Sequence, residues 1–419
     1  MEDPTIVERE ELLVSALGGI PQQIVVHFLD PVAASTEGPN LKPPSIPFPP
    51  ESEWPLKVSF NGCNGWRDQQ MKWKELVETM EAIYHPVWKA VGVYGALKSS
   101  VYRVQTDQNL IFGLAERWCC ETNSFMFPWG EDIISLEDMM ILGGFSFLGD
   151  LENKTQHDSV LSSLQSRELV EIEKNLENAQ REIIGLKTNN HCRWLNYFMN
   201  SGKDYEHEAF LSLWLSRFVF PCKIGAPIFS IVVSLARGMR LELAANILAS
   251  IYRDLGSLKQ AMIMASSEVP HRNGHIFDIH KLSLWSPLFF VQVWAWERMV
   301  SLHPERLELQ YKSFFLWRPY ALAVKGWSIP MFYKENEERT IVGGKNLDPE
   351  MESFVRCLRE FELVGLYYQK PYRPNRVEMQ FGYDQDFPKW IPRSPSCLEL
   401  DWYSNNIPID SDLRLYSPS

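Results

Sequence analysis

Residues Ser286–Trp296 (SPLFFVQVWAW) constrain the fold of this 419-residue chain more tightly than any other stretch. Serine followed by proline supplies N-cap and first-turn chemistry, so a helix is expected to start there. Behind that start, Leu288, Phe289, Phe290, Val291, Val293, Trp294 and Trp296 cover the whole circumference, and only Gln292 interrupts them. A helix that is apolar on every side must be surrounded by other elements, in the middle of a core. The apolar stretch from Trp285 to Trp296 is too short to cross a bilayer, which takes about 20 residues. The chain must therefore provide enough other structure to enclose it.

The periodicity of the remaining sequence supplies that structure as helices. Met71, Trp73, Leu76, Val77, Met80, Ile83 and Tyr84 have helical spacing, with Pro86 expected to limit the element. Gly95–Gln105 and Leu110–Trp118 read as two short helices. Tyr205–Phe220, Ala226–Ala236 and Leu241–Tyr252 read as strongly apolar ones, punctuated by Pro221 and Gly238. Between residues 160 and 187, Leu169, Ile172, Leu176, Ala179, Ile183 and Leu186 follow a 3-4-3-4-3 heptad seam. The seam is short for a coiled coil, so a helix packed on its own domain is expected rather than a dimerisation device. The stretch Thr122–Ser135 (TNSFMFPWGEDIIS) differs: Phe125 and Phe127 lie two apart, then a Pro/Gly turn, then Ile133 and Ile134, which is hairpin patterning. Ser135 with Asp138 predicts a capped helix start just beyond it. The expected fold is mainly α: a single large helical domain with a small β-hairpin near residues 122–135.

Composition narrows the functional classes. Fifteen Trp, 15 Tyr and 23 Phe favour a large core, and such side chains also anchor interfaces. The net charge of −12, with no run of four Lys or Arg, argues against general nucleic-acid binding and reads as a solubilising surface. Seven scattered cysteines without CxxC spacing fit neither a disulfide framework nor a zinc site, and are expected to be small buried thiols in a reducing compartment. The acidic N-terminus does not read as a secretory signal, so an intracellular protein without membrane association is expected. Eight prolines within residues 31–55 predict an extended connector. The expected organisation is an N-terminal segment with that connector over 1–53, a main domain over 54–395 and a tail over 396–419.

Catalytic motifs do not emerge. GxSxG, HExxH and GxxxxGK[ST] are absent, and Val342–Lys345 (VGGK) lacks the glycine and hydroxyl of a phosphate loop. His271, His275 and His280 fall among Pro270, Asn273 and Gly274, a loop rather than a metal-binding helical face. The paired acids Glu137/Asp138 and Glu337/Glu338 read as solvated. No catalytic, metal or cofactor-binding residue is nominated.

The run Asn109–Asp150 (NLIFGLAERWCCETNSFMFPWGEDIISLEDMMILGGFSFLGD) carries Trp118, Glu121, Thr122, Phe125, Phe127, Pro128, Trp129, Gly130, Glu131, Leu136, Glu137 and Asp138, then Gly143, Gly144 and Phe145. This ordered set resembles the hallmark of the plant mobile domain, also labelled aminotransferase-like. Six further blocks are similar to the family in order: His27–Pro31, Gly92–Ser100, Glu206–Pro221, Leu241–Lys259, Val291–Arg298 and Val377–Pro388. Within the last, Gly382, Asp384 and Asp386 offer turn chemistry. Ser135 stands where the family often has Thr, which keeps the hydroxyl cap. These motif residues could serve folding or interaction.

The resemblance implies a plant nuclear protein, similar to the Maintenance of Meristems group, that works in development and in silencing genes or transposons. It also implies protein partners, among them a phosphatase-like protein of the serine/threonine class. A pyridoxal-phosphate enzyme would need a Schiff-base lysine, a phosphate cup and an acid for the ring nitrogen, and no such ordered set is present, so no cofactor is expected. A PLP-dependent or hydrolytic enzyme and a transposon-derived nucleic-acid binder stand as the alternative readings.

Overall fold

The computed structural model describes residues 6–13, 22–29, 72–127, 130–145, 163–184, 190–220, 224–266, 282, 284–302, 316, 319–321, 341–342, 353–354, 356–365, 369–381, 385–386 and 413–414. Among these, helices dominate: α1 Trp73–Ala90, α2 Tyr94–Ser99, α3 Gln108–Arg117, α4 Leu136–Gly143, α5 Ser163–Ile184, α6 Asn190–Phe198, α7 Glu206–Trp214, α8 Ala226–Ala236, α9 Leu243–Ser266 and α10 Phe289–Arg298. The strands are short. β3 (Trp118–Cys119), β4 (Ser124–Phe127) and β5 (Gly130–Asp132) form an antiparallel meander, with Trp118 opposite Phe125 and Phe127 opposite Gly130. β7 (Phe361–Val364) pairs with β8 (Gln369–Tyr372). A hairpin of β1 (Ile6–Leu13) and β2 (Gln22–Leu29) joins β9 (Gln385–Asp386), and β6 (Ile341–Val342) pairs with β10 (Leu413–Arg414). The fold is mainly α with small antiparallel sheets, including the hairpin expected at 122–135.

α10 lies where its composition demands. None of its residues is exposed, and α3 and α4 pack against it. Gln292, its one interruption, is fully buried. Its amide accepts from the Asp107 backbone N–H at 2.8 Å and donates to the Gln105 carbonyl at 2.7 Å, so the polar group is satisfied by the strand of chain entering α3. The start of α10 departs from expectation. Leu288, not Ser286, occupies the N-cap position, and no side chain caps it. The Trp285 and Ser286 amides instead both donate to Asp254 Oδ2 on α9, at 2.6 Å each. These amides lie ahead of the helix, so Asp254 anchors the approach to α10 rather than capping it, and the Ser286 hydroxyl makes no hydrogen bond among the described residues.

α1 also departs from expectation: it runs through Pro86 and ends at Ala90. Proline removes one intrahelical bond, but the turn beyond it is held by Trp88, which is fully buried. Trp88 Nε1 donates to His207 Nε2 on α7 at 2.9 Å, and its ring stacks on Phe210 at 5.4 Å. The heptad seam of α5 packs within the domain, against α6 and α8. Leu176, Ala179 and Ile183 are buried, whereas Leu169 and Ile172 are half-buried. α4 stops at Gly144, whose φ of +65° places it in the left-handed region. Its Cα face meets Gly95 of α2: a β-carbon at Gly144 would come within 2.6 Å of the Gly95 carbonyl carbon and the Ala96 nitrogen.

Among the described cysteines, Cys357 is buried, Cys119 and Cys120 are half-buried and Cys192 is exposed, and all four are free thiols. Of these four, Cys357 alone meets the expectation of a buried thiol. The proline-rich stretch 31–55, the histidines His271, His275 and His280, Gly343–Lys345 and Glu337/Glu338 lie outside the described residues. No helix among the described residues is long and apolar enough to cross a membrane.

Candidate functional site

The hallmark residues converge on one buried assembly. It begins with the helix start at Ser135. The Ser135 hydroxyl accepts from the Asp138 N–H at 3.2 Å, while Asp138 Oδ2 accepts from the Ser135 N–H at 2.6 Å: a complete capping box. Acids at this position normally face water. Here Glu137 is 1% exposed and Asp138 is fully buried, so the solvated reading of this pair is corrected. The reason is a cation brought in from α10. Arg298 Nη2 lies 3.1 Å from Asp138 Oδ1, and Arg298 Nε lies 3.7 Å from Asp132 Oδ2 at the end of β5. The Tyr320 hydroxyl donates to Asp138 Oδ1 at 2.6 Å, and the Ser135 hydroxyl reaches Asp138 Oδ2 at 2.8 Å. Asp138 thus accepts from four donors.

Asp132 has a different environment. Its Oδ1 accepts from the Ile133 N–H at 2.8 Å, and Oδ2 makes no hydrogen bond. Burial pushes its carboxyl up to about 8, against the pull of Arg298 and with the push of Asp138. Between Asp132 and Ser135 the backbone is pinned on every side. Gln380 Nε2 donates to the Ile133 carbonyl at 2.9 Å, and the Tyr252 hydroxyl of α9 donates to the Ile134 carbonyl at 2.7 Å. The Tyr372 hydroxyl of β8 accepts weakly from the Leu136 N–H at 3.4 Å and donates to the Cys357 carbonyl at 2.7 Å.

On the outer side of the meander, Glu131 is 7% exposed and takes a two-pronged ion pair from Arg376, both contacts at 2.7 Å. Ser124 donates to the same carboxylate at 2.6 Å, and Thr122 Oγ1 lies 2.5 Å from Ser124 Oγ. The aromatic members stack into the core. Trp118 and Phe125 have ring centroids 4.9 Å apart, Phe125 and Trp294 also 4.9 Å, and Phe125 and Phe127 6.0 Å.

The hallmark set is therefore brought together at Trp118, Thr122, Phe125, Phe127, Glu131, Leu136, Glu137 and Asp138, with Gly130 beginning β5. Glu121 is exposed and stands apart from it. Asp386 belongs to β9, where it pairs with Phe28. Pro128, Trp129, Gly382 and Asp384 lie outside the described residues. Sequence reasoning did not single out Asp132, Arg298, Tyr320 or Arg376. The one available signal was Arg298 closing the Val291–Arg298 block, at the end of a helix expected to be enclosed on every side. Among the described residues no group of three or more His, Cys, Asp and Glu side chains could hold a metal ion. The assembly can hold charge out of water and tie the hallmark segment to α9, α10, the 319–321 turn, β8 and residues 376–380. Its innermost groups, Asp132, Asp138 and Arg298, are at most 1% exposed.

Fold and site together define a helical domain knitted around a buried arginine–carboxylate cluster. The family model for the plant mobile domain matches residues 92–313 and 305–417, and the chain belongs to that family. A curated relative, the serine/threonine-protein phosphatase 7 long form homolog of Arabidopsis thaliana, is 25% identical over 231 residues. That match covers 52% of this chain and 15% of the relative's length. No solved structure matches the chain.

Proposed function

We propose that this chain is a non-catalytic interaction module of the plant nucleus, acting through protein partners in development and in silencing of genes or transposons. The observation that carries this reading is the use of the hallmark acids. Glu131 and Asp138 are engaged inside the fold by Arg376, Arg298 and a helix cap, and Glu137 is buried beside them, so the family signature supports an architecture rather than an open reaction centre. The family resemblance supports the nuclear setting. A phosphatase-like partner of the serine/threonine class is proposed because the curated relative carries such a name.

The test is affinity purification of the tagged full chain from plant nuclei. A stable protein partner is expected, with phosphatase-like proteins sought first. Recovery of none overturns the reading, as does purified protein showing the visible absorbance of lysine-bound PLP.

A further inference from the structure

We propose that Cys120 is a redox-modification site, at which hydrogen peroxide converts the thiol to a sulfenic acid whose oxygen is received in a notch at Gly256 of α9. The notch starts from a glycine that the helix itself does not require. Gly256 is buried inside α9, and its φ is not left-handed. Glycine weakens a helix relative to alanine, and a close approach by neighbouring atoms is the common reason to place one there. That reason is missing. Among the described residues, a β-carbon at Gly256 would meet two atoms beyond the backbone of α9 within 4 Å: Cys120 Sγ at 3.8 Å and Trp118 Nε1 at 3.9 Å. Both are ordinary contact distances, so alanine would fit. The space its methyl group would take is bordered by a sulfur and an indole N–H.

Both bordering atoms favour an oxygen in that space. Trp118 is 2% exposed, and its Nε1 has no hydrogen-bond acceptor among the described residues. A buried donor left unpaired is costly, and an oxygen atom would satisfy it. The Cys120 sulfur does not: it donates to the Gly256 carbonyl at 3.9 Å and accepts from Gln260 Nε2 at 3.9 Å. Cys120 is half-buried and Gln260 beside it is exposed, so a small oxidant reaches the sulfur from solvent. As its thiolate, the sulfur attacks one peroxide oxygen. An S–O bond forms as the O–O bond breaks, and the departing hydroxide takes up the proton the thiol released, giving water. Sulfur gives up two electrons and the peroxide gains them. The sulfenyl oxygen then stands one bond beyond Sγ, as an acceptor for the Trp118 N–H. Of the four described thiols, Cys120 is the one at the notch, whereas exposure by itself would favour Cys192 on α6.

The experiment treats the folded full chain with hydrogen peroxide and dimedone, which traps sulfenic acids, and reads each cysteine by peptide mass spectrometry. The adduct on Cys120 is expected to exceed that on Cys192. Gly256→Ala fills the notch with a methyl group and favours the helix, so it is expected to fold, as its denaturant midpoint will show. It should lower the Cys120 adduct by about fivefold, the factor worth one ordinary hydrogen bond, and leave that on Cys192 unchanged. Trp118→Phe removes the N–H while keeping a ring against Phe125 and Tyr252, and should lower the Cys120 adduct similarly. An unchanged Cys120 adduct in either folded variant overturns the site, as does a wild-type adduct on Cys192 that matches or exceeds the one on Cys120. Should both variants fail to fold, that wild-type order decides.

Discussion

Arg298 sits beside Trp294 and Tyr320 as well as between two acids, with its guanidinium carbon 5.5 and 5.7 Å from the two ring centres. Removing it leaves Asp138 buried without its cation. Arg298→Met is expected to cost about 3–5 kcal/mol, the range for breaking a buried pair from one side. Urea unfolding at pH 7 checks this, and a loss under 1 kcal/mol would show that the cluster contributes little. The residue scale is also where the sequence was least legible. Glu137 and Asp138 look like ordinary helix-start acids, and locally they are. Their burial depends on Arg298 and Tyr320, which are 160 and 182 residues from Asp138 along the chain. No local spacing rule reaches that far.

At the level of elements much more was readable. Ala226–Ala236 is a helix with the bounds its apolar pattern gives, and the turn chemistry around Gly130 foretold the β4–β5 hairpin, though not the third strand β3. Periodicity works here because each helix buries one face whatever its neighbour is. Two departures involve distant contacts: Asp254 holds the Trp285 and Ser286 amides ahead of α10, which starts at Phe289, and the Trp88 contacts carry α1 past Pro86. Two others are bounds: the helix expected over Gly95–Gln105 ends at Ser99, and that over Leu241–Tyr252 runs to Ser266. The GFS turn at Gly144 is an element-scale requirement that can be tested. A side chain there faces both a left-handed φ, roughly 1–2 kcal/mol, and collision with the α2 backbone. Gly238 has φ +86° but nothing within 4 Å of its would-be β-carbon. Gly144→Ala is therefore expected to lower the denaturant midpoint clearly more than Gly238→Ala. Equal losses would mean that the α2–α4 approach can relax.

The whole molecule should show a pH profile shaped by opposed groups. His207 is pushed down to about 3 by burial, and its Nε2 accepts from Trp88, which requires the neutral ring. Its contribution is complete above the ordinary value of 6.5 and is lost as pH falls towards 3, because only the unfolded chain takes up the proton. Asp132 works in the other direction, losing stability as pH rises from 3.8 towards 8. Each slope is at most about 1.4 kcal/mol per pH unit, so between pH 4 and 6.5 His207 and Asp132 offset one another, while Glu208, also raised by burial, adds a decline with rising pH. His207→Gln keeps an acceptor for Trp88 and removes the opposing group. It is expected to steepen the decline between pH 5 and 6.5, measured by urea midpoints. An unchanged slope would assign the effect to other groups. The same long-range architecture sets a timetable for the growing chain. Glu131 meets Arg376 across 245 residues, and Ile133 meets Gln380 across 247. During synthesis the meander must therefore wait, its carboxylates without all of their partners, until residues 376–380 have left the ribosome. For that interval the hallmark segment is a natural client for chaperones.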